Sequence, residues 1–230
     1  MLHLILADAE LETVPSKIAS QRAIAWQARR RGRRPTEILL DSNLHHSAMR
    51  RLPDADRRGR PDIVHICLLA ALDAPLNREG LLRLYVHTRH NKLILVDPAT
   101  RLPRAYNRFV GLLEHLFLVG TAPPENPLLR LESSSLAEVV ARIKPARVVT
   151  FSERGERKLY GEIFKSISKE DEICAIIGAF PHGDFLSNVE ELSDELICVD
   201  PERLEALTVV TRTICAYEGA LGVQRARLSR

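Results

Sequence analysis

Long apolar runs are missing from this 230-residue chain. No stretch approaches the ~18 consecutive apolar residues of a membrane-crossing helix, so no span is expected. The opening "MLHLILADAELE" turns acidic after a short apolar run and lacks the basic start of a secretory leader. Cysteine is scarce: Cys67, Cys174, Cys198 and Cys215 stand apart in apolar contexts with no CxxC pair, which favours buried thiols over disulfides or zinc. A reducing cytoplasm is the expected compartment. There is no P-loop and no GxGxxG between a strand and a helix, which removes the commonest phosphate cradle and a Rossmann dinucleotide site. His45 and His46 are adjacent, not four apart, so a cap or packing role is favoured over a metal, and no metal is expected. No Ser-His-Asp or Cys-His arrangement has positional support, and neither an internal repeat nor a low-complexity tract occurs.

What is present is an ordinary globular composition, 45% hydrophobic and 27% charged, with charge unevenly spread. Residues 1–110 carry 19 Lys and Arg against 11 Asp and Glu, a net +8; residues 111–230 carry 14 against 19, a net −5. A basic half on a nearly neutral protein suggests a face tuned for a polyanion; a solvated Arg-rich surface is the plainer alternative.

The patterning predicts strands over 2–8, 36–41, 81–88, 92–98, 147–152, 172–179 and 195–199. It predicts helices over 16–31 with Ser16 as N-cap, 44–52, from Pro61 onward, 135–143, near 155–166 and over 202–218. The first two strands and helix 16–31 read as a β-α-β unit. The short "RHN" between 81–88 and 92–98 is a hairpin signal. Strands alternating with helices argue for an α/β fold with a mainly parallel sheet, one domain over 1–230. The segment 53–110 reads as an accessory lobe within it.

Three stretches carry candidate chemistry. "IIGAFPHGDF" runs a buried strand into a loop where Gly178 and Gly183 let backbone approach a ligand, although a plain glycine turn fits equally. His182 in that loop could be catalytic, but a lone loop histidine more often lies on the surface. In "RGRPDIVH", Arg60 and Asp62 flank Pro61, so Asp62 either orients Arg60 or merely serves the helix start. "DPATRLPRAYNRFVG" sets Arg101, Arg104 and Arg108 at i, i+3 and i+7, one side of a helix if Pro103 begins one.

Taken in order, "LLDSNLHHSAM", "RPDIVHICLLAALDAPLN", "LYVHT", "DPATRLPRAYNRFVGLL", "IIGAFPHGDF" and "TVVTRTICAYE" resemble the archaeal and eukaryotic ribosomal RNA pseudouridine-N1 methyltransferases. These form the nucleolar essential protein family of the SPOUT class, and the resemblance spans about 36–218. It implies a C-terminal trefoil knot that binds S-adenosylmethionine and a homodimer with the knots at its interface. It also implies methylation of N1 of a pseudouridine in small-subunit ribosomal RNA, with a part in small-subunit assembly.

By motif, Arg60, Arg101, Arg104 and Arg108 resemble the family's RNA-contacting arginines, with Asp62 stabilising Arg60. Gly178 and Gly183 match the cofactor-loop glycines, and Cys198, Val199, Asp200, Pro201, Glu202 and Arg203 the next cofactor loop. Thr150, at the end of an earlier knot strand, is placed with them. "VDPERLEAL" departs from the family before its leucine, which leaves the individual contacts of that loop open. Asp62 is also the side-chain candidate for a general base, although pairing with Arg60 favours a structural role. An assembly factor that binds ribosomal RNA without catalysis would use the same arginines and not the glycine loop.

Overall fold

A computed structural model describes residues 1–230. In chain order it contains β1 (Leu2–Ala9), α1 (Arg22–Arg30), α2 (Ser42–Met49), α3 (Pro61–Asp73), α4 (Pro75–Arg78), β2 (Leu82–Thr88), β3 (Lys92–Val96), α5 (Tyr106–Val119) and β4 (Thr121–Ala122). Then follow β5 (Leu129–Ser133), α6 (Leu136–Ile143), β6 (Arg147–Arg157), α7 (Tyr160–Ile163), β7 (Ile173–Gly178), α8 (Val189–Leu192), β8 (Glu195–Cys198), α9 (Ala206–Ala220) and α10 (Val223–Leu228).

All eight strands share one sheet in the order β4-β5-β3-β2-β1-β7-β6-β8. The run β2-β1-β7-β6-β8 is parallel throughout, and β3, β5 and β4 extend it as an antiparallel flank. β1 lies at the centre and reads as a continuous apolar run because both faces are covered. Leu2, Leu4 and Leu6 join Ile173, Ala175 and Ile177 of β7 under α3, α5 and α9. Ile5 and Ala7 face the other way, with Cys174 and Ile176, toward Leu136 and Val139 of α6. The result is a three-layer α/β/α body. No helix is long and apolar enough to cross a membrane.

Several local expectations hold. Pro61 occupies the first position of α3, the helix expected over 135–143 is α6, and β2–β3 is an antiparallel hairpin turned by Arg89, His90 and Asn91. His45 works as a cap and packing residue: its Nδ1 accepts from the Asp41 N–H at 3.0 Å and its Nε2 donates to Gln27.

Other expectations are corrected. Residues 36–41 are not a sheet strand: they form a 3-10 turn at Pro35–Glu37 and then one antiparallel bridge, Thr13 to Leu39. Their alternation is real, but it sends Ile38 and Leu40 into a local core while Leu39 enters the main one. Helix 16–31 breaks into a 3-10 turn at Ser16–Ile18 and α1, and Ser16 caps neither. The predicted helix near 155–166 shrinks to the single turn of α7, because β6 runs on to Arg157. Cys215 is exposed, unlike the other three thiols.

Residues 53–110 do not stand apart as a lobe, because β2 pairs with β1 inside the sheet and α3 packs on α9. Strand order has no local signature, so a hairpin of the main sheet resembles an insertion. What does form a lobe is the segment before it. Val14, Ile18, Ile24, Ala28, Ile38, Leu40, Ala48, Met49 and Leu52 make a separate small core under α1 and α2.

Candidate functional site: a cofactor cavity beside an arginine surface

Ligand sites of parallel sheets lie beyond the carboxyl ends of the strands. There the loops after β6, β7 and β8 enclose a cavity of about 370 Å³. Its apolar wall is Phe151, Ile177, Phe180, Ile197 and Val209. Its polar rim carries Glu153, Asp184, Asp200, Glu202 and Glu205 against Arg154 and Arg203. Both cations are already engaged: Arg203 donates to Glu153 at 2.5 Å, and Arg154 pairs with Asp184. The Arg203 hydrogen bond holds the Glu153 carboxyl below the usual carboxylate range. An acidic rim with spare carboxylates suits a ligand bearing positive charge.

Seven residues expected at a cofactor site meet here: Gly178, Gly183, Cys198, Val199, Asp200, Glu202 and Arg203. Two do not. Thr150 is fully buried within β6 with its hydroxyl 2.6 Å from that of Ser193, and Pro201 points to solvent. Gly183 adopts φ +84°, a left-handed conformation, and a Cβ there would come within 3.1 Å of Arg57 Nη1. His182 lies on the cavity wall, half-exposed, with its Nε2 3.6 Å from Asp56.

The side chains that hold this loop in place went unread in the sequence. Three acidic residues straddle the end of β1, Asp8 within it and Glu10 and Glu12 just beyond, and all are buried. Asp8, at φ +50°, accepts from the Leu186 N–H at 2.7 Å and from the Ser187 N–H and hydroxyl at 2.9 and 2.7 Å. Burial pushes its carboxyl up, but bonds from His87 and Ser187 outweigh that and leave it below the ordinary value. Glu10 joins Arg57 at 2.5 Å to Arg89 at 2.7 Å. Glu12 takes a fork from Arg58 at 2.7 and 2.6 Å and a contact from His90. Arg57 also donates to the Asp184 carbonyl at 2.5 Å and lies 4.0 Å over the Phe180 ring. One buried charge chain thus joins the α1–α2 lobe, the β2–β3 turn and the cavity loop. The available signal is "DAELE", acids at alternate positions across the end of a buried strand.

Beside the cavity lies the arginine surface. Arg60 and Asp62 form a fork, Nε to Oδ1 at 2.9 Å and Nη2 to Oδ2 at 2.8 Å, so the orienting alternative is the one realised. Asp62's hydrogen bond raises the Arg60 pKa. The Arg60 N–H donates to the Glu10 carbonyl at 2.9 Å and the Glu10 N–H to the Ala179 carbonyl at 3.3 Å, between cavity-lining Gly178 and Phe180, which places Arg60 beside the cavity. Tyr106 donates to Asp41 at 2.6 Å on the other side of the same cluster.

Arg101, Arg104 and Arg108 are all exposed and none has an ion-pair partner. They do not share a helix, however. α5 begins at Tyr106, so Arg101 and Arg104 lie on an irregular approach and only Arg108 is helical. The reason is local: His65 Nε2 donates to the Pro103 carbonyl at 2.8 Å and stacks on Phe109 at 4.2 Å, while Leu102 is buried, which fixes the approach before the helix opens. Ala105 provides no side-chain cap, and no acid lies in the first turn of α5. Free N–H groups with a cation beside them suit an oxyanion.

The comparisons with known proteins agree with this geometry. Residues 4–218 match the family model described as EMG1/NEP1 methyltransferase. The ribosomal RNA small subunit methyltransferase Nep1 of Pyrococcus furiosus is 50% identical over 220 residues, covering 94% of this chain and 96% of that protein. Its counterpart in Methanothrix thermoacetophila is 42% identical over 219 residues, covering 95% and 96%. The crystal structure of Archaeoglobus fulgidus Nep1 bound to S-adenosylhomocysteine superposes with a TM-score of 0.83 at 39% identity, covering 95% of this chain and 97% of that one.

Proposed function

The chain belongs to the EMG1/NEP1 methyltransferase family, and from that premise we propose that it methylates N1 of a pseudouridine in small-subunit ribosomal RNA with S-adenosylmethionine as donor. The observation that carries the proposal is the adjacency of the two surfaces: Arg60, at the start of α3 where α3 packs on α5, is hydrogen-bonded through the Glu10 backbone to Ala179 of the cavity loop.

The residues present fit the donor. A cavity of about 370 Å³ falls within the range of small-molecule sites. Phe180, Ile197 and Val209 offer an apolar slot for a flat base, and the rim carboxylates suit a sulfonium and an ammonium. Backbone from Gly178 to Gly183 and from Cys198 to Arg203 supplies the polar edges. When bound, S-adenosylmethionine provides an activated methyl group on a positively charged sulfur.

The chain's own task is positioning. Transfer needs the acceptor nitrogen in line with the methyl group, and holding two reactants in that geometry removes much of the barrier. Arg60 is aimed by Asp62, while Arg101, Arg104 and Arg108 are free to take phosphates or stack on bases. A paired target base must be splayed out to reach the cavity. Asp62 has both oxygens committed to Arg60, which makes it a positioning residue and not the group that takes the N1 proton.

The trefoil knot implied by the resemblance belongs to the same three loops; in its favour, β6 pairs with β8 at Phe151–Ile197 and again at Arg157–Cys198, around an excursion at 152–155. The homodimer would use the groove between α7 and α9, where Gly219, Ala216 and the exposed Cys215 leave room for a second copy.

The test is direct. Incubated with labelled S-adenosylmethionine, the protein should methylate a small-subunit hairpin containing pseudouridine and leave the matched uridine hairpin unlabelled. Equal labelling of both would remove the N1 assignment. Tight binding with no labelling of either would favour the non-catalytic assembly factor.

A further inference from the structure

Between residues 13 and 36 the chain has no Asp or Glu and seven cations, Lys17, Arg22, Arg29, Arg30, Arg31, Arg33 and Arg34. Two of these are used within the protein: Arg31 bonds Glu114 at 2.5 Å, and Arg34 bonds Glu37 at 2.6 Å. The others hold no carboxylate. Among them sits Trp26, the only tryptophan, 59% exposed on α1 with the Arg30 guanidinium 4.7 Å from its ring centre. The opposite side of the helix explains why it folds: Ile24 and Ala28 are buried in the small core under the lobe. Folding does not explain why Arg22, Trp26, Arg29 and Arg30, at i, i+4, i+7 and i+8, form one outward stripe.

Position adds the second observation. The Arg31–Glu114 pair ties this end of α1 to α5, and Arg108 lies six residues earlier on α5, about 9 Å along its axis. The stripe therefore flanks the surface already assigned to RNA. An exposed ring with cations beside it is the arrangement that takes unpaired nucleotides, a base stacking on the ring and phosphates meeting the arginines.

We infer that the outer face of α1 is a second RNA subsite, which takes a single-stranded segment flanking the stem-loop, with one base on Trp26 and its phosphates on Arg22, Arg29 and Arg30. It rests on the assignment of ribosomal RNA as substrate.

The experiment uses the full chain and two pseudouridine hairpins, one blunt and one extended by six unpaired nucleotides. The extended hairpin should bind about tenfold more tightly and quench the fluorescence of Trp26, which is the protein's only indole signal. Trp26→Ala should cancel most of that gain and change blunt-hairpin affinity less than twofold, with its melting temperature confirming the fold. Replacing Arg22, Arg29 and Arg30 with Gln should reduce the salt slope for the extended RNA by about 2, at ~0.7 per single-strand contact, and leave the blunt slope alone. Equal affinity for the two hairpins would overturn the inference. Quenching of equal depth by an acidic peptide of the same charge would also overturn it, and would assign the face to a protein partner. Labelling of the blunt hairpin reports separately on the substrate, so loss of that activity and loss of the flank effect are distinct results.

Discussion

Replacing Arg57 with methionine should separate the cavity loop from the lobe that braces it. The Arg57 guanidinium is buried, bonded to Glu10 at 2.5 Å, to the Asp184 carbonyl at 2.5 Å, and stacked on Phe180 at 4.0 Å. Methionine keeps the stem and removes all three contacts. Breaking a buried ion pair costs about 3–5 kcal/mol, and the lower end applies because Glu10 keeps Arg89 at 2.7 Å. For a chain of this length each kcal/mol lowers the melting temperature by about 2–4 °C, so a drop of about 6–12 °C is expected. The loop carrying Gly183 also loses its anchor, so S-adenosylmethionine affinity should fall while turnover at saturating donor is largely kept. Arg57→Lys should recover part of both effects, since an ammonium can meet Glu10 but cannot fork or stack equally well. Differential scanning calorimetry and titration calorimetry read the two outcomes, with the exposed Arg51→Met as control. A variant melting within 2 °C of wild type, with unchanged donor affinity, would mean that the chain of buried charges does not brace the site.

Gly183→Val should weaken S-adenosylmethionine binding at least tenfold, because valine is strained at φ +84° and its Cβ meets Arg57; unchanged affinity in the folded variant would defeat this. Asp62→Asn should cost no more than about 1 kcal/mol, since the fork with Arg60 is partly exposed, yet lower hairpin affinity by freeing Arg60; wild-type RNA affinity would show that the fork does not aim it. Burial holds the His45 pKa below the ordinary histidine value, so its contribution to stability is present above ~6.5 and lost as pH falls through that value. Melting scans should show this loss in wild type and not in His45→Gln. Asp8 and Glu12 have lowered folded pKa values despite burial, so their contribution is present above ~4 and disappears as the pH falls below it. Asp8→Asn should flatten that acid limb, and an unchanged limb would count against the Ser187 and His87 contacts. Changing Arg101, Arg104 and Arg108 together to Ala should reduce the RNA salt slope by ~0.7–0.9 per residue with S-adenosylmethionine binding intact; an unaltered slope would mean that these arginines do not touch RNA.

Local chemistry was the legible part of this fold. Pro61 opening α3, the helix α6 within 135–143 and the turn between β2 and β3 each depend on residues within a few positions, and the sequence pattern places them correctly. What depends on distant partners was not legible. The alternation at 36–41 looks like that of a sheet strand, and only the pairing of Val14 with Ile38 and Leu40 with Glu12 shows that it serves one bridge. Likewise, the β2–β3 hairpin gives no local sign that β2 lies against β1 and is not part of an insertion. Cavity residues were found through family motifs, and Thr150 illustrates their limit: a strand position one pleat from a pocket faces Ser193 instead.

The arginines show how composition and geometry divide the work. Arg101, Arg104 and Arg108 were grouped on the premise of one helical face, and that face does not exist. The grouping nevertheless has a physical cause that spacing did not capture. A cation in the first turn of a helix opposes the helix dipole, and Arg108 sits there with no acid and no cap to offset it. Arg101 and Arg104 precede it on a segment fixed by His65 and buried Leu102, so their backbone is held while their side chains stay unpaired. By contrast, the arginines buried in the charge chain and the one that ties α1 to α5 each have a carboxylate: Arg57 and Arg89 share Glu10, Arg58 has Glu12, and Arg31 has Glu114. Unpaired cations on a rigid backbone beside a cavity with an acidic rim create a polarity that folding alone does not require. One side favours a polyanion and the other a cationic donor, and transfer from donor to RNA needs the two to adjoin.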